Sequence, residues 1–229
     1  MEKLRKTIGS FINTGNLEDL LNKTAELHGH YCPGIALGVI AGQKAMSIIQ
    51  GSSDGMEDLL AITETNNCFS DGIQMVTGCT FGNNSLIFRD YGKMAFSLTK
   101  RDGKGVRINI KSEAKEYMHK KYPDFSEDYN TVVKDQDHSP EALKKFKLSG
   151  YEKAFIVIKI EFNELFNITN QKIIIPDYAP SHESIVCDRC DEIVMISRIR
   201  KLKKENFCIP CSNSEFYQLD GNGIYYNEY

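Results

Sequence analysis

The sequence predicts an α+β protein that carries a small cysteine-rich domain at its carboxyl end. Segments with helical apolar spacing and segments of alternating or β-branched residues both occur before residue 163. Four of the seven cysteines lie in two CxxC units near the carboxyl end. Prolines and polar residues separate the two parts. We therefore predict one domain over residues 1–175 and a second over residues 176–229.

The composition is that of an ordinary globular protein, with 41% hydrophobic and 26% charged residues. A net charge of −3 provides no global basic field, so nucleic acid is not expected as a partner. No apolar run reaches the length of a membrane span, and no signal-peptide core follows the charged amino terminus. We expect a cytoplasmic protein, in which cysteines favour metal sites and free thiols over disulfides.

The first elements surround a short motif. Asn16 can cap a helix that begins at Leu17. This helix leads into the motif of residues 28–34, His-Gly-His-Tyr-Cys-Pro-Gly. Pro33 suits the first position of a second helix, which runs to residue 50 and is closed by Gly51. Small residues recur on this helix at three- and four-residue spacing: Gly34, Gly38, Gly42 and Ala45.

A strand and a short helix are predicted next. Residues 59–66 are apolar and then alternating, which indicates a strand. Ser70 can cap a helix that Gly78 ends. Cys68 should therefore lie just before this helix and Cys79 just after it.

Alternation and turn signals predict the rest of the first domain. The predicted strands are residues 86–90 paired with 93–99, then 106–110 after a hairpin turn, and 155–160. Ser112 opens a helix, and the polar stretch of residues 123–150 is largely helical, with Ser139 and Pro140 as a start signal. Residues 163–183 indicate a linker or crossover.

The motif of residues 28–34 packs two imidazoles and one thiol into five residues. If the segment is extended, His28, His30 and Cys32 share one face. Nitrogen and sulfur donors together suit zinc or another borderline-soft metal. Cys32 would also sit at a helix N-terminus, where the dipole favours a thiolate. The alternative is a loop whose histidines are only hydrogen-bonded.

The carboxyl-terminal cysteines predict one structural metal ion. They are Cys187, Cys190, Cys208 and Cys211, and seventeen residues separate the inner two. Four thiolates close the coordination shell, so no position is left for a substrate. We expect zinc, while an iron site of rubredoxin type uses the same spacing. Asp191 follows the second cysteine, where a residue that tolerates positive φ is needed.

The basic run of residues 198–204 indicates either an anionic partner or a solvated turn, and the nearby acidic residues favour the turn.

Three motifs stand together, at residues 28–34, 66–74 and 77–84, followed by residues 86–96. Their combination resembles the FmdE family of formylmethanofuran dehydrogenase proteins, strongly to about residue 110. The final cysteine module resembles the treble-clef zinc finger of the longer members. The resemblance implies an α+β core with a mixed sheet flanked by helices, thioredoxin-like in layout, and a metal-binding active site. The chain departs from the family at Gly72, where alanine is commoner and helix propensity is better.

Five side chains are candidates for a metal site in the core domain: His28, His30, Cys32, Cys68 and Cys79. They exceed the four ligands of a closed zinc site, and an open site needs only three plus an exchangeable position. The metal is zinc or another transition metal. Glu64 and Asp71 are carboxylates that can orient a histidine or act as a base, although a helix first-turn role suffices for Asp71. Alternatively, Cys68 and Cys79 are simply small buried residues.

Three functions stay open at this point. The first is a metal-dependent enzyme, or an accessory or redox protein linked to molybdenum or tungsten enzymes, that acts on a small ligand at an open metal site. The second is a metal- or cofactor-handling factor for such an enzyme or its assembly machinery, and the third is a non-catalytic interaction module. We also predict a homodimer, because the helix face of small residues allows close approach, an apolar helical region follows Pro123, and twofold closure is the commonest arrangement.

Overall fold

A computed structural model of the chain describes residues 4–51, 55–121 and 124–228. Its contacts divide the chain into two compact units, Met1–Pro176 and Asp177–Tyr229. None of the helices in the described ranges is both long and apolar enough to cross a membrane.

The helices of the first unit surround a sheet. They are α1 (Lys6–Thr14), α2 (Leu17–His28), α3 (Pro33–Ile49), α4 (Cys68–Thr77), α5 (Ser112–Lys121), α6 (Asp124–Tyr129), α7 (Pro140–Val157) and α8 (Phe162–Leu165). One π-helical turn, Asn130–Lys134, follows α6. The predicted caps are present: Asn16 accepts from the amide of Asp19, and Ser139 accepts from the amide of Ala142. Pro123, where a helical stretch was predicted to start, lies outside the described residues.

The sheet of the first unit has five strands. They are β1 (Leu59–Thr63), β2 (Leu86–Phe88), β3 (Ala95–Lys100), β4 (Lys104–Ile110) and β5 (Phe166–Lys172). The spatial order is β2-β1-β3-β4-β5, in which the β1–β2 pair is parallel and the other pairs are antiparallel. A mixed sheet flanked by helices confirms the predicted α+β class.

Two predictions for the later part of this sheet are wrong. Residues 155–160 are not a strand, because α7 continues to Val157 and buries Ala154 and Val157 at helical spacing. The strand that completes the sheet, β5, lies in the segment predicted as a linker. Only its first residue, Phe166, is buried, so the segment lacks the alternation that marks a strand. Its long-range pairing with β4 supplies the structure that the local sequence does not indicate.

Three smaller predictions also need correction. β2 and β3 do not pair with each other, because β1 lies between them. α3 ends at Ile49, and Gln50, with a φ of 48°, closes it in the role expected of Gly51. α4 begins at Cys68 rather than after it, because Asn67 caps the helix by accepting from the amide of Phe69. The Ser70 hydroxyl instead donates to the carbonyl of Thr65.

The small-residue face of α3 receives α4. A Cβ on Gly38 would lie 2.2 Å from the carbonyl oxygen of Phe69, and a Cβ on Gly42 would lie 3.1 Å from Val76. A Cβ on Gly72 would lie 2.7 Å from the α-carbon of Gly38. This contact explains a glycine where propensity alone favours alanine. The same contact covers the small-residue face of α3 from which we predicted a homodimer. The homodimer therefore stays a prediction, but this face no longer supports it.

The second unit consists of short hairpins. Its elements are β6 (Ser184–Val186), β7 (Ile193–Met195), the 3₁₀ turn Ile196–Arg198, β8 (Arg200–Leu202), β9 (Glu205–Phe207), α9 (Ile209–Ser212), β10 (Phe216–Asp220) and β11 (Gly223–Asn227). The strands form three two-stranded antiparallel pairs. Asp191 has a φ of 59°, as predicted for the residue after a CxxC unit.

Candidate metal centres

The motif of residues 28–34 is a helix end, a turn and a helix start, and not the extended segment that we considered. α2 ends at His28, and Gly29 closes it with a φ of 90° and a bond from its amide to the carbonyl of Ala25. Cys32 is the N-cap of α3. This tight path still brings His28, His30 and Cys32 together, with one ligand atom from each within 4.8 Å of the others. We call these three residues the core cluster.

His28 is held in one orientation. Its Nδ1 lies 2.7 Å from Oδ2 of Asp71, in the first turn of α4, and its Nε2 lies 3.8 Å from Sγ of Cys32. A carboxylate bound to Nδ1–H leaves the Nε2 lone pair directed at the cluster. In a tetrahedral site with bonds of about 2.1 Å to nitrogen and about 2.3 Å to sulfur, the two donors lie about 3.6 Å apart. The observed spacing fits a shared ion.

His30 is kept neutral by its surroundings. Its ring centroid lies 4.5 Å from that of His28. Burial lowers the pKa of the His30 imidazole, and the charges of His28 and Lys147 lower this pKa further. A neutral imidazole keeps a lone pair free for a metal ion near neutral pH.

Cys68 is a fourth donor beside the core cluster. A Cβ on Gly34 would lie 3.6 Å from Sγ of both Cys32 and Cys68, so the two thiols share the space that this glycine leaves open. A hydrogen bond from the Cys32 thiol lowers the pKa of Cys68 to about 6. The same pairing and burial raise the pKa of Cys32. Sequence reasoning placed Cys68 before α4, whereas its position as the first helical residue brings it to Cys32.

Two of the predicted site residues lie elsewhere. Cys79 follows the ten-residue helix α4 and so lies about 15 Å along that helix from Cys68. Its thiol is fully buried and donates to the carbonyl of Leu59, and burial raises the pKa of Cys79 to about 11. Glu64 forms a bidentate ion pair with Arg107 at 2.6 and 2.7 Å. The structure therefore brings neither residue to the core cluster.

A cleft opens beside His30, between α2 and α7. Its volume is about 620 Å³, and its walls include Tyr31, Lys144, Lys147 and Tyr151. Sequence reasoning missed the α7 residues, because their approach to His30 depends on packing between distant segments. The only available signal was the apolar spacing of Leu148 and Tyr151 within a polar helix.

The four cysteines of the second unit form a compact group. Their sulfur atoms all lie within 4.8 Å of one another, and Sγ of Cys190 lies 3.9 Å from Sγ of Cys208. Neighbouring sulfurs in a tetrahedral zinc site lie about 3.8 Å apart. The amide of Cys208 donates to Sγ of Cys187 and lowers the pKa of that thiol to about 6. The donor set and spacing thus fit a four-thiolate metal site.

The basic run of residues 198–204 lies on and beside the β8–β9 hairpin. Lys201, Lys203 and Lys204 are exposed there. Arg189, by contrast, is engaged within the unit, since it donates to the carbonyl of Cys211 and lies over the ring of Phe207.

Comparison with known proteins adds three likenesses. The family model described as "FmdE, Molybdenum formylmethanofuran dehydrogenase operon" matches residues 27–167. A protein from Archaeoglobus fulgidus named "Probable S-adenosyl-L-methionine-binding protein" is 36% identical over 214 residues, which cover 91% of this chain and 56% of that protein. The chain thus spans little more than half the length of that relative.

The third likeness is to a crystal structure of a tungsten formylmethanofuran dehydrogenase FmdE-like protein from Syntrophus aciditrophicus. The two structures share a TM-score of 0.55 at 22% sequence identity, over 86% of this chain and 91% of the other. At that identity the likeness concerns the fold alone.

Proposed function

The chain belongs to the FmdE family, and from that membership and the geometry of the core cluster we propose that its first unit is an accessory metal protein. The observation that carries the proposal is the convergence of His28, His30 and Cys32 within 4.8 Å. Two imidazoles and one thiol suit zinc or another transition metal. Three protein ligands are the number that leaves a position open for a small ligand. A bound ion of this kind supplies Lewis acidity or an activated water.

The surrounding residues support this role. Asp71 fixes the orientation of the His28 ring, as carboxylates behind metal-binding histidines do. His30 is available as a neutral donor, because burial lowers its pKa. Cys68 lies beside these three ligands, at the N-terminus of α4, where the helix dipole favours a thiolate, and it is not counted among the three ligands.

In the second unit we propose a structural zinc ion held by Cys187, Cys190, Cys208 and Cys211. Four thiolates leave no open position, so this ion would stabilise the unit rather than react. We also propose that this unit is a treble-clef zinc finger and that it forms a domain separate from the first unit.

The proposed partner is a molybdenum or tungsten enzyme or its assembly machinery. Support comes from the family, whose description places it in a molybdenum formylmethanofuran dehydrogenase operon. A second role, delivery of metal or cofactor to such an enzyme, is favoured by Cys68, because a thiol beside three donors allows stepwise exchange of ligands. Transfer of the core ion to a metal-free acceptor enzyme would distinguish delivery from a role in which the ion stays bound.

The name of the A. fulgidus relative raises S-adenosyl-L-methionine as a ligand, and we treat it as a test. The sulfonium and ammonium groups of that molecule outweigh its single carboxylate and make it a net cation, whereas Lys144 and Lys147 put two positive charges on the cleft beside His30. We expect no saturable binding when S-adenosyl-L-methionine is titrated into this chain. Stoichiometric binding would replace the metal-centred proposal with a cofactor-binding one.

The direct test is the metal content of anaerobically purified protein. We expect two ions per chain, with nitrogen and sulfur at one site and sulfur alone at the other by X-ray absorption. His28→Ala, His30→Ala and Cys32→Ala should each remove one ion, whereas the control His138→Ala, an exposed histidine outside both sites, should keep both. Full metal content in all three cluster variants would refute the proposed core site.

A further inference from the structure

The cleft beside His30 is built by two helices and the turn between the clustered ligands. α2 contributes Asn22 and Ala25, the turn contributes His30 and Tyr31, and α7 supplies the opposite wall. His30 belongs both to the cleft and to the core cluster, so the cleft adjoins the proposed metal site. A molecule bound in the cleft would therefore lie next to a ligand of that site.

One wall of the cleft is aromatic and preformed. The rings of Tyr31 and Tyr151 meet edge to face at 5.0 Å, and Phe155 packs behind both, with ring centroids 5.5 and 4.6 Å away. The Tyr31 hydroxyl donates to the side chain of Asn22 at 3.0 Å, which fixes this ring. Tyr151 stays 45% exposed and Leu148 59% exposed, so apolar surface is open to a ligand.

The charge of the cleft is positive. Lys144 and Lys147 are exposed on α7 and line it. Lys147 is close enough to act electrostatically on His30. The acidic side chain on the opposite wall, Glu26, is engaged by Lys23 at 2.8 Å, which offsets its charge.

From this arrangement we infer that the cleft binds a small organic anion with a flat apolar or aromatic body. The anionic group would lie at Lys144 and Lys147, and the body would lie against Tyr31, Tyr151 and Leu148. Apolar surface provides most of the binding energy, and the lysines set orientation and exclude cations. This inference names the substrate class of the proposed metal site and so rests on the proposed function.

A fluorescent probe of matching chemistry tests the inference on the full chain. Anilinonaphthalene sulfonate joins an aromatic body to an anionic group, and it brightens in apolar sites. We expect one dye per chain, displaced by naphthoate and not by naphthylmethylammonium, which has the same ring and the opposite charge. The double variant Lys144→Gln/Lys147→Gln should bind the dye about tenfold more weakly. Lys145→Gln is the control, because that lysine lies on the same helix, pairs with Glu141 and is outside the cleft.

Two results would overturn the inference: unchanged dye affinity in the double variant, or equal displacement by the cationic naphthalene. Tyr151→Ala should weaken the binding of the dye and of naphthoate alike, which tests the apolar wall separately from the lysines. The test is separable from that of the proposed metal site, since the lysine variants should keep both metal ions. Loss of dye binding with full metal content in the lysine variants would support the cleft as the anion site. Loss of metal with normal dye binding in the cluster variants would show that the metal site can fail independently of the cleft.

Discussion

The carboxylate of Asp71 lies 2.7 Å from the imidazole of His28, a residue 43 positions earlier in the chain. The contact joins the last turn of α2 to the first turn of α4. The other carboxylate oxygen of Asp71 accepts a hydrogen bond from the side chain of Gln74 at 3.1 Å, which fixes the carboxylate as well. The sequence alone favoured a role at the helix dipole for Asp71. The structure shows that Asp71 also orients His28.

The first prediction concerns this pair. Asp71→Asn should weaken metal binding by the core cluster by a factor of about 10 to 100, because the ring of His28 loses the partner that orients it. Chelator competition on the full chain measures the affinity, and the four-cysteine ion should be unaffected. Asp19→Asn is a matched control, since Asp19 is likewise a first-turn acid but lies outside the core cluster. Equal affinities in the two variants would mean that Asp71 acts only through its helix.

The second prediction concerns thiol reactivity in metal-free protein. Cys68 should be alkylated by iodoacetamide with an apparent pKa of about 6, because the Cys32 thiol donates a hydrogen bond to its thiolate. Cys79 should resist alkylation, since it is fully buried and its pKa is raised to about 11. Cys32→Ala should shift the Cys68 profile toward the ordinary thiol value of 9.0. Mass spectrometry of the separate peptides over a pH series makes the measurement.

The sign of the accompanying stability change follows from the same shift. The pKa of Cys68 is depressed in the folded protein, so its contribution to the free energy of unfolding is present above the ordinary thiol pKa. That contribution is lost as the pH falls through about 6. Cys32 has a raised pKa, so its contribution is present below the ordinary value and is lost as the pH rises above it. A Cys68 profile that stayed at 9.0 in the parent protein would rule out the thiol pairing.

The third prediction concerns the contact of α3 with α4. Gly38→Ala should lower the free energy of unfolding by about 3 kcal/mol. The added Cβ would lie 2.2 Å from the carbonyl oxygen of Phe69, and this backbone atom cannot move aside as the end of a flexible side chain could. Gly9→Ala, in α1, is the control, since nothing lies within 4 Å of its added Cβ. Gly9→Ala should instead stabilise by about 0.5 to 1 kcal/mol through helix propensity. Denaturant unfolding of both variants makes the comparison, and a neutral Gly38→Ala would mean that the two helices are not in contact there.

These residues also show what the sequence predicts and what it does not. Local chemistry is enough to predict the Asn16 cap and the positive φ of Asp191, because each depends on neighbours within a few positions. β5 could not be predicted, because it is a strand only through its pairing with β4, in which Ile108 lies opposite Ile168. No local pattern encodes such a pairing.

The candidate site divides in the same way. The short motif places His28, His30 and Cys32 together through two helix ends and a glycine, all local features. From the sequence we placed Cys68 and Cys79 in one candidate site, although the rise of the helix predicted between them separates the two residues. The cleft could not be predicted, because the approach of Lys147 and Tyr151 depends on how α7 packs on the core.

The last prediction concerns the second unit. Its strands are three residues long in four of six cases, and much of its apolar surface is exposed, including Ile193 at 77% and Tyr217 at 77%. Such hairpins do not bury enough surface to fold unaided, so a bound ion would supply most of the folding free energy. Cys187→Ser should abolish that ion and unfold residues from about 177 onward, because the lost sulfur is one of four in the closed shell.

Limited proteolysis with mass spectrometry measures this outcome. The variant should be cut within residues 177–228, while the fragment up to residue 176 stays resistant and keeps the ion of the core cluster. Ser214→Ala is the control, because it removes a hydroxyl just beyond the last cysteine without touching a sulfur. Removal of metal from the parent protein with a strong chelator should reproduce the variant's cleavage pattern, and re-addition of zinc should reverse it. Unchanged resistance in Cys187→Ser, with one ion fewer, would mean that the hairpins are stable without the ion and that the metal serves another purpose.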